Sequence, residues 1–147
     1  MQLVAHAPLV SIDLIVQNSR GEVLLGLRCN EPAAGFWFVP GGRVRKNERL
    51  DEAFARITLA ELGVTLSRQK ADWQGVYEHF YDTNAGRQPG IETHYVVLAY
   101  KIALDKGALL ALPCNQQHQS YCWRSPEVIS TSEDVHAHCR AYFDKDE

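Results

Sequence analysis

No apolar run in this chain approaches the roughly 20 residues needed to span a bilayer. The opening Met1 to Pro8 stretch is too short, and lacks the basic residues, for a signal peptide. The cysteines Cys29, Cys114, Cys122 and Cys139 form no C-x-x-C pair, which argues against a zinc site. With a core of ordinary size they do not argue for a disulfide framework either. There is no basic field: Lys and Arg number 15 against 18 Asp and Glu, for a formal charge of -3, so no polyanion such as DNA is the expected partner. Repeats, low-complexity runs and linkers are also missing. These absences predict one domain over 1–147, in a reducing cytoplasmic setting, with neither nucleic acid nor membrane as partner. What is present is ordinary globular material, 46% hydrophobic and 22% charged over 147 residues, enough to bury a core.

Leu9 to Val16 is apolar except for Ser11 and Asp13 and predicts a buried strand. Asn18 to Gly21 is a turn, Glu22 to Leu27 the returning strand, and Phe36 to Val39 a third, stopped by Pro40-Gly41-Gly42. Leu50 to Leu62 has helical periodicity, with Asn47 as N-cap and Gly63 as the C′ glycine. Trp73 to Tyr81, Thr93 to Ala103 and Tyr121 to Arg124 read as strands, and Ser132 to Phe143 as a C-terminal helix capped by Ser132 with Asp134 behind it. The order β-β-β-α-β-β-β-α predicts an α/β (α+β) class: a mixed sheet with helices packed on it.

On a helical wheel of roughly 100° per residue, Leu50, Ala53, Phe54 and Ile57 form the buried stripe, and Glu61 falls in its middle. A carboxylate there carries two penalties, burial without a partner and a place in the last turn, where the helix dipole disfavours an anion. A bound cation would compensate, and a hard oxygen ligand suits Mg²⁺. The plainer alternative is a frayed end at which Glu61 reaches water. Glu52 and Arg56 fall opposite, as a solvated i,i+4 pair. The preceding Gly41-Gly42 turn lets a ligand approach the backbone, and Arg43, Arg45 and Lys46 follow; arginine forks match phosphate oxygens. Strand, glycine turn, arginines and inward carboxylate together suit a metal–diphosphate, against the plainer alternative of a solvated basic loop.

The spacing Gly42-x5-Glu48-x7-Arg56, then Glu61-x-Gly63-Val64, resembles the Nudix box, in which Arg is followed by Glu-apolar-x-Glu-Glu-x-Gly-apolar. Two of its glutamates are replaced by Ile57 and Ala60, and Thr58 takes the apolar place. With those changes the string Gly42-Arg43-Val, Arg56-Ile-Thr-Leu-Ala-Glu61-Leu-Gly63 is similar to the altered box of GDP-mannose mannosyl hydrolases. So are Pro8 to Asp13, Asn18 to Gly21, Leu25 to Arg28, Trp37 to Gly42, Glu78 to Asp82, Thr93 to Leu98, Gln117-His118 and Val135 to Phe143. The resemblance runs from about Pro8 to Phe143.

The resemblance implies a Nudix fold, a mixed β-sheet sandwiched between helices. It implies a homodimer that hydrolyses GDP-mannose, or GDP-glucose or GDP-fucose, to GDP and free sugar. Water attacks sugar C1 with inversion, and one Mg²⁺ per subunit, replaceable by Mn²⁺, assists. Its metal ligands would be Glu61, the side-chain amide of Gln117 and the backbone carbonyl of Gly41. His118 would be the general base, Arg28 and Arg43 the diphosphate clamps. Asp13 would bind sugar hydroxyls or organise the site, and His79, Tyr81 and Tyr95 would line it. Alternatives stand beside each: a surface histidine at 118, an edge-strand aspartate facing water at 13, plain aromatic packing for the tyrosines and His79, and a capping role for Glu48. His136 and His138, two apart on a presumed helix, do not share a face and predict no metal pair. Two other activities remain in view, an ordinary Nudix pyrophosphohydrolase attacking phosphorus and a catalytically silent nucleotide-binding domain. The missing carboxylates weigh against the first, and a histidine beside a metal ligand against the second.

Overall fold

The computed structural model describes residues 2–84, 89–104 and 118–144, with Gln2, His118 and Gln119 described by backbone alone. In chain order the elements are α1 (Gln2–His6), β1 (Leu9–Gln17), β2 (Val23–Arg28), β3 (Trp37–Phe38), β4 (Gly41–Arg43), α2 (Leu50–Leu62), β5 (Asp72–Tyr81), β6 (Thr93–Ala103), β7 (His118–Arg124), α3 (Pro126–Thr131) and α4 (Ala137–Arg140). Two 3-10 turns, Arg68–Lys70 and Ala141–Phe143, complete them. The strands form one seven-stranded sheet in the order β3-β2-β1-β6-β5, with β4 added to β1 and β7 to β2. β1 pairs with β6 in parallel and the other pairings are antiparallel, so the sheet is mixed.

β1 is central, and alternation sends its residues to two different cores. Ile12, Leu14 and Val16 pack with Ala53, Phe54, Ile57 and Leu62 of α2. Ile15 faces the other way, onto Phe38, Ala99, Ile129, Val135, Cys139 and Tyr142. Helices therefore cover both faces, as expected, and Asp13 shares the Ile15 face.

Helix α2 has the predicted bounds, and Gly63 closes it in the left-handed region (φ 78°), its N–H on Leu59 C=O at 3.0 Å. Its start differs. The N-cap is Arg49, whose N–H donates to Glu52 at 2.9 Å, while Asn47 turns the chain just before it at φ 67°. Asparagine tolerates that conformation, so it serves the turn and not the cap. The C-terminal helix also differs. Pro126 favours a start one residue after the cap Ser125, giving α3, and Ser132 ends that helix instead of starting one. Asp134 C=O accepts from Trp37 N–H at 2.8 Å, and His136 N–H donates to Trp37 C=O at 3.1 Å. Backbone groups spent on β3 cannot serve a helix, so 133–134 form a turn, Val135 bridges Trp37, and α4 begins only after His136.

Candidate functional site

A groove of about 300 Å³ opens on the Asp13 face of the sheet, at the lower end of the range for small-molecule sites. It is lined by Asp13, Arg28, Gly41, Arg43, His79, Tyr81 and Tyr95, so seven of the expected site residues converge there. The pairing explains why: Asp13 lies opposite Gly41 in the β1–β4 ladder, and His79 opposite Tyr95 in the β5–β6 ladder. A second groove adjoins it, sharing Gly41, Gly42 and Arg43 and adding Ile57, Ala60 and Glu61 of α2.

Glu61 is buried, so the wheel reading holds and the frayed-end alternative does not. Its Oε1 accepts the Gly41 N–H at 3.4 Å. In β4 the ladder bonds flank Gly41: Leu14 N–H reaches Pro40 C=O and Val44 N–H reaches Val10 C=O, each at 2.8 Å. A strand residue's N–H and C=O leave on the same edge, so the Gly41 carbonyl faces away from β1, toward the Glu61 side. A Cβ at position 41 would meet Ile12 O at 2.5 Å and Asp13 Oδ1 at 2.7 Å, so only glycine fits. Ile57, where the Nudix box has glutamate, is buried in the α2 core with its Cγ1 3.1 Å from where a Gly42 Cβ would stand. Among the described residues no cluster of three or more His, Cys, Asp or Glu is placed to hold a metal.

Arg56 is not paired with Glu52. It binds Glu48 with Nε at 2.7 Å and Nη2 at 3.0 Å, and Nη2 also donates to Arg43 C=O at 2.7 Å. Glu48 in turn accepts Arg45 N–H at 2.9 Å. The two box residues thus fix the backbone of the basic loop. The Arg56 bond, then the Arg45 N–H, holds the Glu48 carboxyl down to about 2.

The opposite wall behaves differently. Asp13 is buried in a central strand, not at an edge, and burial pushes its carboxyl up to about 7 against the opposing effects of Tyr142 and Arg28. Tyr142 O–H donates to Asp13 Oδ2 at 2.5 Å, and its oxygen lies 3.4 Å from His79 Nε2. His79 is stacked on His138 at 4.5 Å and 6°, and burial first, then its histidine neighbours, lowers it to about 3. His136 is the N-cap of α4, not a helix residue, so its ring comes within 4.9 Å of His138 after all. Burial raises both groove tyrosines, Tyr81 and Tyr95. Arg28 donates from Nε to Pro32 C=O at 2.9 Å, which leaves the guanidinium at the groove rim. Gln117 lies outside the described residues, and of His118 the backbone alone is placed: it begins β7 opposite Arg28. Tyr142, His136 and His138 escaped sequence reasoning, because a lone tyrosine and an H-x-H in a presumed helix carry no local signal of convergence.

The NUDIX domain family matches residues 7–144. The chain belongs to the Nudix family. The low-salt glycan biosynthesis protein Agl8 of Haloferax volcanii is 48% identical over 104 residues, 70% of this chain but only 64% of that protein's length. Among solved structures, the MutT protein of Methanosarcina mazei Go1 superposes with a TM-score of 0.72 at 24% identity, over 94% of this chain and 92% of its own. The MutT NUDIX hydrolase of Burkholderia pseudomallei gives 0.72 at 23% identity, over 97% of this chain and 100% of its own. At such identities the structures establish the Nudix fold alone. No helix of the described residues is long and apolar enough to cross a membrane.

Proposed function

We propose that this Nudix protein hydrolyses a GDP-sugar, GDP-mannose first, to GDP and free sugar by water attack at sugar C1 with inversion. One observation carries the reading. Glu61 is the sole carboxylate among the described residues lining its groove, and the neighbouring box positions are the apolar Ile57 and Ala60. A box built to attack phosphorus uses several carboxylates there. The name of the Haloferax relative, a glycan biosynthesis protein, supports a sugar-bearing substrate.

The donors fit Mg²⁺, or Mn²⁺ in its place: a buried carboxylate at Glu61 and a carbonyl at Gly41 on the same side are hard oxygen ligands, with Gln117 as the amide ligand. When bound, the ion neutralises charge on the departing diphosphate. Arg28 and Arg43 clamp the diphosphate, while Asp13, His79, Tyr81 and Tyr95 meet the sugar. His118 takes a proton from water as its oxygen bonds to C1. The C1–O bond breaks, and its electron pair leaves with GDP. The functional unit is a homodimer, a reading supported by exposed Trp73, Val76 and Phe80 on edge strand β5.

Products decide the matter. Incubation with GDP-mannose and Mg²⁺ is expected to give GDP and mannose. GMP with mannose 1-phosphate would mean attack at phosphorus, and tight binding without turnover a silent domain. His118→Gln is expected to lower kcat roughly 10²–10⁴-fold with little change in metal affinity; near-native turnover would remove His118 from the chemistry.

A further inference from the structure

We propose that Tyr142, with His138 behind it, is the positioning residue that fixes the orientation and tautomer of His79 and anchors Asp13 beside it. That this pair meets the sugar rests on the GDP-sugar reading; the hydrogen-bonded chain itself does not.

Three distant segments build the chain. Asp13 comes from central β1, His79 from β5, and Tyr142 from the terminal 3-10 turn, 129 residues from Asp13 and 63 from His79. A phenol has one proton. With Asp13 ionised, the 2.5 Å contact gives it to Asp13 Oδ2, so toward His79 the Tyr142 oxygen can only accept. His79 must then carry its proton on Nε2, at 3.4 Å, and keep Nδ1 as an acceptor. The order of donation is His79 Nε2–H to Tyr142, then Tyr142 O–H to Asp13.

Packing holds both rings in place. The Tyr142 ring stands edge-on to Tyr77 at 4.7 Å and 87°. His79 has one face covered by His138 and Phe38 set edge-on at 6.0 Å. His138 is itself tied down, its Nε2–H on Phe80 C=O at 3.0 Å and its backbone N–H on His136 Nδ1 at 3.1 Å. Because Phe80 follows His79 in β5, the stacked ring is anchored to the strand it covers. The C-terminal segment therefore acts as the back wall of the groove without lining it. Its residues act through Asp13 and His79, which do line it.

Imidazole ¹⁵N spectra of histidine-labelled protein test this without any substrate. At a pH well above 7, where Asp13 is ionised, His79 of the wild type is expected in the Nε2–H form. Tyr142→Phe keeps the ring on Tyr77 and removes only the hydroxyl, and it should give a mixture of tautomers at His79. His138→Ala should broaden the His79 signals, and His138→Phe, which can still stack, should restore them. With GDP-mannose, Tyr142→Phe should lower kcat/KM roughly tenfold, the scale of losing a partner that orients a site residue, while the Kd for GDP stays within about twofold. A wild-type His79 in the Nδ1–H form overturns the proposal, whether or not Tyr142→Phe folds. So does a folded Tyr142→Phe with unchanged His79 signals. If no GDP-sugar is turned over, the functional reading fails and the spectra alone decide the positioning role.

Discussion

Glu48, behind the basic-loop wall of the second groove, and Asp13, on the inner wall of the first, are shifted in opposite directions. Glu48, on the β4–α2 side, is bound by Arg56 and the Arg45 N–H and stays ionised down to about 2. Asp13, on β1 against Tyr142 of the C-terminal turn, is buried and pushed up to about 7. The charged wall keeps its groups near water, where partners outweigh desolvation; the inner wall keeps His79, His136 and its tyrosines neutral because burial dominates. A ligand with an anionic end and a hydroxyl-rich end fits such a pair of walls better than a uniformly charged one.

Three substitutions probe that contrast. The largest effect is expected from Gly41→Ala, since position 41 joins the walls. Its Cβ would lie 2.5 Å from Ile12 O and 2.7 Å from Asp13 Oδ1, so urea unfolding should show a loss of roughly 1–3 kcal/mol. A native midpoint would mean the walls are not held together there.

His136→Asn probes the neutral wall, because asparagine can still cap α4 but does not titrate. Burial lowers His136 from 6.5 to about 4. Its neutral form is the folded one, so the wild type holds this stability above 6.5 and loses it as pH falls through about 4. Between pH 7 and pH 5 that loss should be about 1 kcal/mol for a half-exposed ring. Thermal melts at the two pH values should show a shallower dependence in the variant; an equal dependence would remove His136 as a titrating group.

The smallest effect belongs to the charged wall. Arg56→Lys keeps a charge but gives up the fork that joins Glu48 to the Arg43 carbonyl. A loss of about 0–1 kcal/mol is expected, fading with added salt. A salt-independent loss of several kcal/mol would mean that this wall too is governed by burial.

The charged wall was the legible one, because its information is local. Periodicity gave the bounds of α2 and the inward Glu61, and Gly63 its end, all within one helix and its cap. The inner wall is made by β1, β5 and the terminal turn, which meet only in the fold. Asp13 could be seen as a polar residue in an apolar strand, but its partner Tyr142 could not. The single helix expected from Ser132 to Phe143 is broken by the pairing of Asp134 and His136 with Trp37, which is non-local. With it went the H-x-H argument, which assumed helical spacing for a residue that is a cap. Asn47 and Arg49 traded roles for a smaller reason, since asparagine suits a left-handed turn as well as a cap.

The most direct test of where the water attacks is hydrolysis of GDP-mannose in ¹⁸O-labelled water with Mg²⁺, with mass analysis of both products. Attack at carbon places the label in mannose and leaves GDP unlabelled. Label in a phosphate-bearing product, GMP or mannose 1-phosphate, would contradict it.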